Sequence, residues 1–149
     1  MDQSIYRFYI RPNGPRPEFR VVKAFLWSDA QNVSSDGDSY NPASREWTYL
    51  FLHNRDNAAE MVMVDKVVSE AALVFEIKSS CEYTAARCAY FLAVQTNSNV
   101  AETLIGSASN PDGLVEKMGA GFGPDAAMRR AEQSPFSRST LENPYPNRS

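Results

Sequence analysis

Residues 72–80, ALVFEIKSS, pass with no linker into residues 81–94, CEYTAARCAYFLAV. In the first stretch Leu73, Phe75 and Ile77 face one way and Glu76 and Lys78 the other. That is the period-two pattern of a strand with one face covered and one at least partly wet. In the second stretch Cys81, Ala85, Cys88 and Leu92 line one stripe of a helix. Small residues on that stripe let the helix lie close against a sheet. Ser79 with Glu82 three positions later has the form of a capping box, and TNSN (96–99) ends the helix. A strand followed directly by a helix that must cover it is the unit around which the rest of the chain is read.

Two more strands precede this unit. EWTYLFLHN (46–54) and AEMVMVDKVV (59–68), joined by the turn RDNA, complete an up-down-up meander with 72–80. SIYRFYIRP (4–12) is short, aromatic and β-branched, and Pro12 ends it as a strand. The linker PNGPRP is turn chemistry throughout. EFRVVKAFLWSD (18–29) carries Phe19, Val21, Val22, Phe25 and Trp27 and reads as a strand; a helix is the alternative, because Phe19, Val22 and Leu26 share a helical face. Residues 30–45 form a long polar loop. VAETLIGSAS (100–109) reads as a further short strand, NPDG (110–113) as a turn, and LVEKM favours no one state. Gly119, Gly121 and Gly123 make a flexible joint, and Pro124 with Asp125 opens a second helix, PDAAMRRAEQ. The polar Pro- and Ser-rich end, 134–149, reads as a tail. The expected architecture is α+β: a mostly antiparallel sheet of about five strands, packed on one face by a main helix over 80–94, with a short C-terminal helix over 124–133 and an irregular tail. The chain's 149 residues fit a single domain, 1–133, followed by that tail.

Function is much less legible. Hydrophobic residues make up 43% and charged residues 22%, with the longest apolar runs far short of a membrane span. The start, MDQSIYRFYI, lacks the layout of a secretory signal, which suggests a soluble, cytoplasmic protein with no membrane partner. The net charge of −3 is uneven. Residues 1–26 carry five bases against two acids, and residues 29–78 nine acids against four bases. No stretch is basic enough to favour nucleic acid, whereas the acidic middle, with Asp36 and Asp38, suits a basic protein partner.

The candidate chemistry is thin. Cys81 and Cys88 sit two helical turns apart, about 10 Å along the axis, which is beyond the reach of a disulfide. Both are read as free thiols and, first of all, as packing beneath the helix. Cys81 falls in the first helical turn, where the helix dipole lowers a thiol pKa. The chain's one histidine, His53, ends the first meander strand at the same end of the sheet, but with a strand between, roughly 10 Å away. Two cysteines and one histidine give no zinc spacing, and Asp36 and Asp38 lack the later ligands of a calcium loop. In the glycine run, Pro124 stands where a dinucleotide fingerprint needs its third glycine. No cofactor or metal is therefore expected.

The aromatic strand says more. Trp47, Tyr49, Phe51 and His53 share one face, Thr48, Leu50 and Leu52 the other, and both faces are apolar enough to need cover. Trp47 and Tyr49 read first as core residues; the alternative is a partner surface, because Trp and Tyr are favoured interface anchors. The leading expectation is a non-catalytic protein-binding protein using Trp47, Tyr49 and Phe51, with Asp36 and Asp38, in the manner of an inhibitor or immunity-type protein that blocks a cognate partner. One alternative is a structural subunit of a larger assembly, viral or otherwise, built from further copies of the chain. The other is a small cysteine-dependent enzyme using Cys81 and His53, with loop 30–45 as a lid.

Overall fold

The alternating segments become strands of one sheet, and the segments with buried small residues become the helices that cover it. The computed structural model describes residues 5–27, 33–35, 45, 47–54, 57–67, 74–104, 106–140 and 142–143. Strands β1 (Tyr6–Ile10), β2 (Val33–Ser35), β3 (Tyr49–Asn54), β4 (Asn57–Val67), β5 (Val74–Ser79) and β6 (Val100–Ala101) lie in the order β2-β3-β4-β5-β1-β6. Every neighbouring pair is antiparallel. Helices α1 (Phe19–Trp27), α2 (Glu82–Gln95) and α3 (Pro124–Glu132) and two 3₁₀ turns, Pro111–Lys117 and Pro135–Arg138, complete the fold. The α+β architecture with a helix packed on one sheet face is as the sequence predicts.

The core lies between the sheet and its helices. Phe8 and Ile10 of β1, Leu50 and Leu52 of β3, Val62 and Val64 of β4, and Phe75 and Ile77 of β5 meet Ala85, Cys88, Ala89 and Leu92 of α2. Cys88 is fully buried on the predicted stripe. Burial pushes its thiol up to about 12, so it stays protonated and acts as a small apolar group.

Several expectations need correction. Residues 18–29 contain a helix, α1, not a strand. The misreading has a physical cause. The run is only nine residues long, and its Val21, Val22, Phe19 and Phe25 are β-branched and aromatic side chains that suit a strand equally, so the two periods are hard to separate. Glu18 starts the helix: its carboxylate accepts from the Arg20 backbone N–H at 2.8 Å and from Arg20 Nε at 3.0 Å. Arg130 of α3 completes the other end by donating to the carbonyls of Ala24 and Phe25, two of the acceptors a helix C-terminus leaves open.

The capping box does not form. Ser79 is the last residue of β5; its hydroxyl donates to the Met61 carbonyl and accepts from the Cys81 N–H. Cys81 is the N-cap, and its side chain makes no capping bond to the helix. The stretch 100–109 is a strand only at Val100–Ala101, bridged to Ser109. Residues 111–117, split in the sequence reading between a turn and an undetermined run, form a 3₁₀ helix that Asn110 caps through the Asp112 N–H. The long loop 30–45 contains β2. Of the segment read as tail, residues 134–139 lie against α1: the Arg20 guanidinium sits 4.1 Å from the Phe136 ring centroid, and Ser139 is buried.

Candidate functional site

None of the described helices packs on the other face of the sheet, which is open across β3, β4, β5 and β1 except at one end, where Val74 and Ala101 are buried. Alternation along each strand and the pairing register place its side chains in rows running across the strands. One row is Phe51, Met63, Lys78 and Arg7; the next is Tyr49, Asp65, Glu76 and Tyr9. His53 and Met61 begin a third row, and Ile5 lies just before β1 on the same side. None of these residues is buried. Ile5 is 48% exposed, Met61 41% and Tyr49 37%. Ile5, Phe51, Met61, Met63, Lys78 and Ser80 line an open depression of about 200 Å³.

Charge on this face is balanced and tied together. Glu76 accepts from the Tyr9 hydroxyl at 2.8 Å and lies 3.7 Å from Arg7 and 3.9 Å from Lys78. Partial burial, with the Glu76 bond, holds the Tyr9 hydroxyl above its ordinary pKa. Lys78 and Arg7 thus stand beside the apolar residues of their row, and Asp65 and Glu76 occupy the adjoining one.

The anchors predicted from sequence divide. Tyr49 and Phe51 are on the open face as expected. Trp47 is not: it is 2% exposed, its Nε1 donates to the Pro17 carbonyl at 2.8 Å, and the Arg16 guanidinium lies over its ring. The β3 ladder begins only at Tyr49, so alternation does not govern Trp47, which turns towards the core beside Phe75. Asp36 and Asp38 lie outside the described residues. The sequence reading does not single out Met61, Met63, Lys78, Arg7 or Tyr9, although the alternation of MVMVD in β4 carries the signal for the two methionines and Asp65.

The thiol and the imidazole are not brought together. His53 lies on the open face, its ring 5.7 Å from that of Phe51. Cys81 belongs to a polar group at the helix-covered edge of the same sheet end. There the Tyr83 hydroxyl donates to Glu60 Oε1 at 2.8 Å, and Asn54 Nδ2 donates to Glu60 Oε2 at 3.2 Å. Hydrogen bonding to Cys81, then to Glu60, raises the Tyr83 hydroxyl well above its ordinary value of 10.0. Arg87 closes the group: its guanidinium lies 4.7 Å from the Tyr83 ring centroid and 4.1 Å from that of Phe122, and its Nε donates to the Met118 carbonyl. Gly119 makes that approach possible, because a Cβ there would sit 3.3 Å from Arg87 Nη2, and its φ of +95° is one that residues with a side chain rarely adopt. Strand β4 stands between Cys81 and His53, and the two side chains belong to opposite faces.

Among the described residues, no helix is long and apolar enough to cross a membrane, and no three His, Cys, Asp or Glu side chains converge to hold a metal ion. The fold and its open face define an antiparallel α+β protein with one covered and one uncovered sheet surface. No protein-family model, no curated protein and no solved structure matches the chain.

Proposed function

We propose that this is a non-catalytic protein-binding protein whose open sheet face is the docking surface. The observation that carries this reading is the apolar row at the centre of that face: Phe51 and Met63, with Tyr49, Met61 and Ile5 around them, on the side of the sheet that none of the described helices packs against. Apolar side chains left in water gain by being covered, and aromatic and methionine side chains are enriched where proteins meet. Methionine's flexible thioether also lets such a surface fit its partner. An inhibitor or immunity-type role is one form this docking takes. The described charges of the face, Arg7 and Lys78 against Asp65 and Glu76, cancel, so the face itself gives no preference for a basic partner.

The test is capture from the native source with three baits: the natural chain, Phe51→Asp on the open face, and Val115→Asp on the distant 3₁₀ turn, where Val115 is also exposed. A specific protein held by the natural chain and by V115D, and lost with F51D, supports the reading. Equal recovery on all three baits removes it.

A further inference from the structure

We infer that the occupant of this face is a second copy of the chain, docked sheet against sheet about a two-fold axis that runs across the strands between the two central rows. The inference rests on the docking reading above and names its partner.

The arrangement of charge carries it. A two-fold axis in that position leaves each strand over its own copy but exchanges the rows. The row Phe51, Met63, Lys78, Arg7 of one protomer then covers the row Tyr49, Asp65, Glu76, Tyr9 of the other. Strand by strand, Phe51 meets Tyr49, Met63 meets Asp65, Lys78 meets Glu76 and Arg7 meets Tyr9, each twice by symmetry. The contacts include an aromatic pair, an ion pair and a cation over a phenol ring, the kinds of contact that favour association. No like charges are opposed. Other simple axes do worse. An axis along the row Phe51 to Arg7 sets Lys78 on Lys78 and Arg7 on Arg7. An axis along the strands between β4 and β5 sets Asp65 on Glu76. The face is therefore self-complementary in one specific way, as a two-fold interface requires.

The size of the face sets the strength. Four strands at about 4.8 Å spacing and the two exchanged rows at about 6.8 Å give a footprint of about 260 Å² per copy before side-chain relief. Stable pairs bury about 800 Å² per partner, so this one belongs with weak, transient contacts.

Sedimentation velocity on the full chain, from about 5 to 500 µM, tests the inference with two charge-reversed variants, Lys78→Glu and Glu76→Lys. The natural chain is expected to shift from monomer to dimer across that range. Each variant alone opposes like charges twice and should weaken the pair at least tenfold. In an equal mixture, one protomer carries a carboxylate at both positions and the other an ammonium group at both. Opposite charges then face each other at each crossing of positions 76 and 78, and the mixture should associate as the natural chain does. A natural chain that stays monomeric at the top of the concentration range overturns the inference; so does a dimer that both single variants form unchanged. The capture experiment separates the two claims: a foreign partner lost with F51D, alongside a monomeric natural chain, removes the self-pairing and leaves docking intact.

Discussion

The two faces of the sheet are both apolar at their centres, and they use different side chains to be so. The covered face carries Leu50, Leu52, Val62, Val64, Phe75 and Ile77, all essentially without solvent contact. The open face carries Tyr49, Phe51, Met61 and Met63, mixed with Arg7, Lys78, Asp65 and Glu76. Branched aliphatic groups have few rotamers and fill a fixed interior. Unbranched methionine, and tyrosine with its polar tip, tolerate water and can repack. The same backbone register thus makes a rigid core on one side and an adaptable surface on the other.

This contrast can be broken experimentally, most forcefully at Phe75. Phe75→Ala removes a ring packed against Trp47 beneath the Arg16 guanidinium and is expected to lower unfolding stability by about 3–5 kcal/mol in urea titrations. A loss below about 1 kcal/mol would mean the covered face is not the core. The next effect depends on pH. The Cys88 thiol is raised in the folded protein from 9.0 to about 12. Below the lower value both folded and unfolded chains keep the proton; above it only the unfolded chain loses it, so stability falls by about 1.4 kcal/mol per pH unit for this group until the folded thiol titrates. Cys88→Ala lacks this loss, so its urea midpoint should draw level with that of the natural chain as pH rises from about 8 to about 10.5; parallel curves would contradict a buried thiol. Smaller still, Tyr83→Phe deletes the bond to Glu60 at the partly open edge and should cost about 1 kcal/mol. Phe51→Ala comes last. On the open face it should change the stability of the monomer by no more than about 0.5 kcal/mol while weakening association, and a large stability loss would place Phe51 in the core.

What could be read in advance follows from the same contrast. The meander and the helix after it were legible because its runs are rich in β-branched and aromatic residues between turn signals, and because Glu76 and Lys78 alternate with apolar residues in the last of them. Helix α1 was not, because its nine residues are too few to separate a helical from an alternating period and are rich in β-branched and aromatic side chains. β2 was hidden in a polar run, where three residues carry no pattern of their own. At the site, alternation located Tyr49 and Phe51 but misplaced Trp47, since the first bond of the ladder is not written in the residues before it. The rows that join Lys78 to Arg7 and Glu76 to Tyr9 depend on β1 pairing with β5, a contact spanning about seventy residues that no local pattern announces.

That pairing also has a history in time. Of the six strands of this sheet, the one translated first ends up fifth across it, wedged between two strands made much later. On the ribosome the β3-β4-β5 meander can close as soon as it emerges, while Tyr6–Ile10 must wait, its Phe8 and Ile10 still exposed, until Val74–Ser79 has cleared the exit tunnel. Until then the newborn chain offers an unpaired strand edge, and chaperone contact during synthesis should concentrate on Tyr6–Ile10.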